Sequence, residues 1–317
     1  MARKPRLKVE GVEAWYHVRG QVAGSKTDFL LAHEGCQIML MNIIKFYEKA
    51  YFCDVASYSI MGTHYHLIIK FLPFKNHSIA TLKKRAYFIY PNRTKEVDKW
   101  TQEQWTTFSH RMFNLSEFMR NIQSGFARWY NKTFERSGRF WADRFKSSIL
   151  VDNQALLDCM LYVDLNPVRA GMVKRPELYT GSSIYARQNN QDAWLMPLNK
   201  LMPINDIDDN IDNSPEKLLH DYRSMLYYRG SIPTKKGQTK ISKELLNQEL
   251  NRGFKKPGKY LKKLRYFIDG ILIGDQKNIE KIMTKLTKIN NHLKEKISKT
   301  IEDSKHQCLH IPRDVES

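Results

Sequence analysis

The chain has 317 residues, of which 42% are hydrophobic and 12% aromatic, enough apolar material for one large core or two modest ones. Its 52 Lys and Arg residues against 33 Asp and Glu residues give a formal net charge of +19, which predicts a polyanionic partner, nucleic acid first. No run of about 18 apolar residues follows the basic N-terminus, which disfavours a membrane partner and predicts a cytoplasmic protein. The four cysteines form no CxxC pair and are expected to be reduced thiols.

The charge is distributed in two basic blocks. Residues 1–190 hold 28 basic and 16 acidic residues, residues 191–220 hold two and six, and residues 221–317 hold 22 and 11. We predict a first domain over 1–190, an acidic linker over 191–220, and a basic, mainly α-helical C-terminal module over 221–317 that binds DNA or dimerises. Apolar residues at helical spacing within 277–299 predict a packing or dimerisation helix: Ile279, Ile282, Leu286, Ile289 and Leu293.

The hydrophobic pattern of the first domain predicts strands and helices in alternation. The predicted strands cover residues 14–22, 55–61, 64–71 and 145–151. The predicted helices cover residues 33–50, residues 115–130, and a last stretch that begins at an N-cap near Asp152 and ends before Pro167, with residues 72–113 as an insertion. The order βαββαβ plus a helix predicts an α+β fold, a ferredoxin-like sheet with helices on one face.

Two histidines, His64 and His66, lie two positions apart in a predicted strand. Side chains at positions i and i+2 of a strand project from the same face, so the two imidazoles stand side by side. Two imidazoles in this arrangement can chelate one cation. The alternative is a strand with two half-buried histidines that bond to neighbouring side chains, and the pattern alone leaves both open.

Tyr162 and Asn166 lie four residues apart near the end of the last predicted helix. This spacing places a phenol and an amide oxygen on one helical face, about one turn apart. An oxygen ligand beside two imidazoles suits Mg²⁺ or Mn²⁺ better than an all-nitrogen set does. The alternative is a tyrosine that packs in the core and an asparagine that caps the helix before Pro167.

Five motifs occur in order along about 185 residues. They are Ala2-Arg3-Lys4-Pro5-Arg6 followed by Trp15-Tyr16-His17-Val18-Arg19-Gly20; Met61-Gly62-Thr63-His64-Tyr65-His66-Leu67; Trp129-Tyr130-Asn131; Gly138-Arg139-Phe140-Trp141 with Arg144-Phe145-Lys146-Ser147; and Tyr162-Val163-Asp164-Leu165-Asn166-Pro167-Val168-Arg169-Ala170-Gly171. In the stretch from Arg3 to Ala186 the chain resembles the Y1 transposases of the IS200-like superfamily, in the branch related to the REP-associated tyrosine transposases. It departs from that pattern in two places: Gly62-Thr63 replaces Pro-Asn, and Gly181 replaces a tryptophan.

The resemblance implies an HUH nuclease fold and a metal-dependent single-strand DNA endonuclease and strand transferase, active in DNA transposition and recombination. It implies that Tyr162 is the nucleophile of a 5′-phosphotyrosine intermediate. His64 and His66 are then the metal ligands of the HUH motif, with Asn166 as third ligand and Mg²⁺ or Mn²⁺ as cofactor. A monomer or a homodimer is expected.

Basic residues among aromatic ones predict contacts with single-stranded or hairpin DNA. One group surrounds Phe140 and Trp141: Arg136, Arg139, Arg144 and Lys146. A second group surrounds Tyr260: Lys255, Lys256, Lys259, Lys262 and Lys263. The alternatives are core packing of the first pair of rings and a solvated helix face for the lysines.

Two competing functions remain open from the sequence. A ferredoxin-like sheet with exposed aromatic side chains also serves non-catalytic nucleic-acid-binding proteins, which stack bases on it. In the second competing function, the protein is a different metal enzyme that uses the two histidines for hydrolysis, and Tyr162 has no part in the reaction. A trapped covalent protein–DNA adduct distinguishes the three possibilities.

Overall fold

The computed structural model describes residues 7–24, 28–202, 214–233, 237–255, 270–287 and 308–312. Its strands are β1 (Lys8–Val9), β2 (Ala14–Gln21), β3 (Cys53–Ile60), β4 (His64–Phe71), β5 (Lys146–Leu150), β6 (Gly270–Asp275), β7 (Leu286–Thr287) and β8 (Cys308–Pro312). Its α-helices are α1 (Glu34–Ala50), α2 (Ile79–Ile89), α3 (Thr94–Val97), α4 (Gln102–Met112), α5 (Leu115–Thr133), α6 (Asn153–Arg169), α7 (Ser183–Gln188), α8 (Pro215–Ser231), α9 (Lys243–Asn251) and α10 (Gln276–Met283). Within these ranges no helix has the length and apolar content needed to span a membrane.

A six-stranded sheet in the order β3-β4-β2-β5-β6-β8 forms the centre of the protein. The pairs β3–β4, β2–β4, β2–β5 and β6–β8 are antiparallel, and β5–β6 is parallel. The first four strands in this order are the four that the sequence predicts, with ends that differ by at most two residues. The predicted α+β class is therefore confirmed.

Alternating side chains give the sheet two apolar faces. Tyr16 and Val18 of β2 belong to a buried cluster that contains the inner sides of α1 and α5. Ile68 of β4 and Leu150 of β5 belong to a second cluster, which contains the buried residues of α6 and α8. The prediction of helices on one face is correct for α1 and α5 and wrong for α6. Apolar residues surround α6 on most sides, so it is covered by the sheet and also by α8.

The insertion predicted at residues 72–113 is helical and contains α2, α3 and α4. Its buried side chains Leu82, Trp105 and Phe108 join the cluster on the α1 and α5 side. Arg85 attaches α2 to the end of α1, because its Nη1 donates a 2.6 Å hydrogen bond to the carbonyl oxygen of Ala50. The insertion therefore packs on the face of the sheet opposite α6.

Helix α6 begins at the predicted N-cap, Asp152, but it continues through Pro167, where the sequence predicts its end. Proline has no N–H, which leaves the carbonyl oxygen of Val163 without its backbone donor. The side chain of Asn166 compensates, because its Nδ2 lies 3.4 Å from that oxygen and 3.0 Å from the carbonyl oxygen of Tyr162. The predicted helix end is wrong because a neighbouring side chain replaces the missing donor.

The C-terminal third contributes strands to the sheet as well as helices. Strand β6 pairs with β5 through Ile149 and Leu272, and β8 pairs with β6. The N-cap side chain of α6 joins the two parts, because Asp152 Oδ2 accepts a 2.6 Å hydrogen bond from the backbone N–H of Asp275. Within residues 221–317, the structure therefore describes part of α8, α9 and α10, together with three strands that the prediction of a mainly helical module did not include. Leu286, predicted in a helix, lies in β7.

Parts of the remaining C-terminal predictions lie outside the described residues. These parts are residues 203–213 of the predicted linker, and Ile289 and Leu293 of the predicted helix. Tyr260 and four of the lysines predicted to surround it also lie outside: Lys256, Lys259, Lys262 and Lys263. In the described part of the linker, Leu195 and Leu198 are buried against the two apolar clusters. That part of residues 191–220 therefore packs as core.

Candidate active site

Both histidines of the HxH motif project from β4 towards α6. Their ring centroids lie 5.0 Å apart, with the ring planes at 84°. Tyr65, between them, points to the opposite face, where it is fully buried against Trp141. Its ring occupies the space over Gly20 on β2, where an added Cβ would lie 2.3 Å from the ring. The buried tyrosine and the glycine thus fix the register that turns both imidazoles to the α6 side.

Tyr162 of α6 lies against this pair of histidines. Its ring meets the ring of His66 edge to face, with centroids 5.5 Å apart, and the ring of His17 at 6.0 Å. One turn later, the side chain of Asn166 hydrogen-bonds to the Tyr162 hydroxyl. The structure therefore brings together the predicted nucleophile and the predicted ligands on β4 and α6.

Burial, followed by the neighbouring Cys159, raises the pKa of the Tyr162 phenol to about 12. The positive charges of Arg19 and Arg169 and the hydrogen bond with Asn166 act in the opposite direction on this pKa. The phenol is protonated at neutral pH as a result. Two guanidinium groups nevertheless lie where they stabilise negative charge on its oxygen.

Both imidazoles of the HxH motif are neutral at physiological pH. Burial, followed by the charge of Arg19, lowers the pKa of His64 to about 4. Burial also lowers the pKa of His66 well below its usual range, with further contributions from His17, His64 and Arg19. Neutral imidazoles keep the nitrogen lone pair that a metal ion requires.

The ring nitrogens of the two histidines differ in their partners. His66 Nδ1 lies 2.9 Å from His17 Nε2, whereas His66 Nε2 is buried with no hydrogen-bond partner in the described part of the chain. His64 Nδ1 lies 3.0 Å from the Oγ1 of Thr63.

These nitrogens fit a metal ion with a small protein ligand set. Across the described ranges, no group of three or more His, Cys, Asp and Glu side chains is arranged to hold a metal. The ligand set predicted from the sequence, two imidazole nitrogens and the neutral oxygen of Asn166, contains only two residues of these types. Mg²⁺ and Mn²⁺ accept such a set because they keep several water ligands.

Sequence reasoning missed three cationic or imidazole side chains at the site, His17, Arg19 and Arg169. Arg19 is directly opposite His66 on β4 and opposite Lys146 on β5, so the three side chains form a row across one face of the sheet. Arg169 follows Tyr162 by about two helical turns and lies on the same face of α6. Alternation along β2 indicates that His17 and Arg19 share a face, but it does not indicate their partners.

The first group of predicted DNA contacts is exposed: Arg136, Arg139, Arg144 and Lys146. The two aromatic residues among them pack inward. Phe140 is 3% exposed in the α1 and α5 cluster, and the half-buried Trp141 donates its Nε1–H to the carbonyl oxygen of Gln123 at 2.8 Å. Of the second group, Lys255 is exposed beside α8, where its carbonyl oxygen accepts a hydrogen bond from Ser224.

The second departure from the family pattern, Gly181, has a steric reason. A Cβ at this position would lie 2.7 Å from the side chain of Gln37 and 3.0 Å from the carbonyl oxygen of Ile60. The backbone of Gly181 is used instead, because its carbonyl oxygen accepts a 2.8 Å hydrogen bond from the N–H of Ile60. This contact joins the loop after α6 to the end of β3, close to the turn that leads into His64.

No protein-family model and no curated protein matches the chain. Among solved structures, it is similar to that of a REP-associated tyrosine transposase bound to a REP hairpin, with a TM-score of 0.39 and 15% sequence identity. The match covers 68% of this chain and 96% of that one. A similarity of this size establishes no shared activity, and membership of the Y1 family stays a prediction.

Proposed function

We propose that the protein is an HUH-type tyrosine transposase, a metal-dependent endonuclease and strand transferase for single-stranded or hairpin DNA. The observation that carries the proposal is the contact of the Tyr162 ring with His66, which places a phenol beside two neutral imidazoles. The order of β3, β4, β2 and β5 supports it, since this order is the one expected for the proposed ferredoxin-like sheet. The net charge of +19 also supports a nucleic-acid substrate.

In the proposed reaction, the phenolic oxygen of Tyr162 attacks the phosphorus atom of a phosphodiester as its proton passes to a base or to water. The bond between phosphorus and the 3′ oxygen breaks, and this oxygen leaves with a proton from water as a 3′ hydroxyl. The 5′ phosphate stays on the tyrosine. Attack by a 3′ hydroxyl on that phosphotyrosine reverses the step and rejoins strands without an external energy source.

The charged residues of the site suit this chemistry. Arg19 and Arg169 lower the free energy of negative charge at the phenolic oxygen and at the phosphate that it attacks. Arg19 Nε is buried with no hydrogen-bond partner among the described residues, which favours an anionic ligand. Mg²⁺ or Mn²⁺, held by His64, His66 and Asn166, would supply polarisation of the scissile phosphate.

A covalent adduct tests the proposal. The full chain is incubated with Mn²⁺ and a pool of labelled single-stranded oligonucleotides that carry hairpins with randomised flanks, and it is then denatured. We expect a labelled protein band whose DNA-linked peptide contains Tyr162. An adduct on another tyrosine would overturn the assigned nucleophile, and DNA binding without an adduct under any metal condition would favour the non-catalytic nucleic-acid-binding function.

A further inference from the structure

His17 lies beside one of the proposed metal ligands without being predicted as one. Its Nε2 is 2.9 Å from His66 Nδ1, the two ring planes are inclined by 15° with centroids 5.1 Å apart, and the residues are 2% and 1% exposed. Their strands are adjacent, and His17 is the diagonal neighbour of His66 across the β2–β4 pair. The bond is therefore shielded from water by the sheet and by α6.

We infer that His17 is a positioning residue that accepts the Nδ1–H of His66 and thereby directs the Nε2 lone pair of His66 at the metal position. This inference rests on the proposed function, because that function supplies the metal. In this role His17 acts through His66.

The number of protons on the two rings decides the direction of this hydrogen bond when both rings are neutral. Each neutral imidazole carries one N–H, so one of the two facing nitrogens must carry the proton of the bond. If His17 donated, the proton of His66 would lie on Nε2, which is buried and has no acceptor in the described part of the chain. If His66 donates, Nε2 keeps a lone pair, and a metal ion satisfies it.

The assignment also explains why a histidine suits position 17. Metal-bound histidines commonly donate their second N–H to an acceptor that fixes the ring orientation and the tautomer, and loss of that acceptor costs about 10- to 100-fold in metal affinity. A lysine or arginine at this position has no acceptor. A histidine can accept through Nε2, the atom that lies 2.9 Å from His66 Nδ1.

The first experiment determines the tautomer in the metal-free full chain. Histidine labelled with ¹⁵N reports through long-range proton–nitrogen NMR correlations which nitrogen of each ring carries the proton, and a His66→Gln variant assigns the signals. We expect His66 to carry its proton on Nδ1. Observation of the proton on Nε2 of His66 would overturn the inference.

The second experiment measures Mn²⁺ affinity by electron paramagnetic resonance. We expect His17→Leu, which has no acceptor, to weaken binding about 10- to 100-fold, and His17→Gln, whose amide oxygen can accept, to stay within about threefold of the wild type. His110→Leu, at an exposed histidine that stacks on Phe74 outside the site, is the matched control. Equal losses in the Leu and Gln variants would indicate a purely structural role and overturn the inference.

Thermal unfolding accompanies both measurements, and if His17→Leu does not fold, the Gln variant and the tautomer decide. The two proposals fail in different ways. A protein with the expected tautomer and Mn²⁺ affinities that forms no DNA adduct contradicts the proposed function alone. A wild type that forms the adduct while His66 carries its proton on Nε2 contradicts the role of His17 alone.

Discussion

The ring of Tyr162 stands almost perpendicular to that of His66, with centroids 5.5 Å apart. Phenylalanine at position 162 keeps this edge contact and removes the phenolic oxygen. We therefore expect Tyr162→Phe to fold, with a thermal unfolding midpoint lowered by at most about 4 °C for the lost hydrogen bond with Asn166. Its affinity for single-stranded DNA should be retained and the covalent adduct lost completely. Tyr185→Phe, at a half-buried tyrosine on α7, is the control and should form the adduct at the wild-type level. Adduct formation by Tyr162→Phe would refute the assignment.

Metal removal should abolish cleavage because both imidazoles would act through the ion. We expect no product in excess chelator, full recovery on addition of Mn²⁺, and loss of activity in His64→Gln and His66→Gln. A gel assay of cleaved oligonucleotide measures all four conditions. His33→Gln, at the exposed N-cap of α1, is the control. Undiminished cleavage in chelator would exclude a metal-dependent reaction.

Asn166 donates hydrogen bonds to carbonyl oxygens of α6 and is also a proposed metal ligand, and a proline substitution separates the two roles. Asn166→Ala removes a donor to the Val163 carbonyl and should lower the free energy of unfolding by about 1 kcal/mol. Adding Pro167→Ala supplies a backbone N–H to the same carbonyl and should restore that loss. Urea unfolding measures the stability of the single and double variants.

The Mn²⁺ affinity of the double variant should not recover together with its free energy of unfolding. Mn²⁺ binding should remain weakened in the stabilised Asn166→Ala/Pro167→Ala protein, because the proposed oxygen ligand is still missing. The loss should be smaller than that in His66→Gln, since water can replace one oxygen ligand. Wild-type Mn²⁺ affinity in the double variant would show that Asn166 acts through the helix alone.

The low pKa of His64 predicts a stability difference that depends on pH. Native His64 stays neutral down to about pH 4, whereas the unfolded chain takes up this proton near pH 6.5. The unfolded state therefore binds more protons between these values, and the free energy of unfolding falls as the pH falls from about 6.5 to about 4. The contribution of neutral His64 to the free energy of unfolding is therefore fully present above about pH 6.5.

His64→Gln lacks this proton uptake, so its unfolding curves should depend less on pH across the window. Asp164, whose pKa burial raises to about 6, contributes with the opposite sign in both proteins and cancels in the comparison. Urea unfolding at pH 7.5, 6 and 5 measures the difference. Parallel pH dependence in the two proteins would contradict the depressed pKa.

Lys146 lies in the same row across the sheet as Arg19 and His66, which predicts a phosphate contact close to the reacting centre. Lys146→Ala should reduce the steepness of the plot of log affinity against log salt by about 0.7 for single-stranded DNA. The reason is that the variant makes one phosphate contact fewer and therefore releases fewer counterions on binding. Fluorescence anisotropy between about 50 and 200 mM salt measures this slope. Lys99→Ala, at an exposed lysine in the insertion, should leave it unchanged. An unchanged slope in Lys146→Ala would remove this contact.

Local patterns predicted the elements that depend on local spacing. The alternation in β2, β4 and β5 and the apolar spacing in α1 and α5 are visible in the sequence, and so is the shared face of Tyr162 and Asn166. Strands β6 and β8 were not predicted, because β6 acquires its partner β5 across more than a hundred residues and β8 pairs in turn with β6. His17 and Arg19 were missed for a related reason, since the β2–β4 register decides what lies beside them. The helix end at Pro167 was wrong because the rule for proline ignores a side-chain donor at the preceding residue.

The hydrogen bond from the Asp275 N–H to Asp152 has a consequence for folding during translation. Asp152 caps the helix that carries Tyr162 through one carboxylate oxygen. Its second carboxylate oxygen can accept this hydrogen bond only after Asp275, 123 positions later, has been synthesised. Closure of so long a loop is a slow step in folding. A translation product that stops before β6 would contain every residue proposed for the reaction, yet its nucleophile would sit on a helix that lacks this attachment.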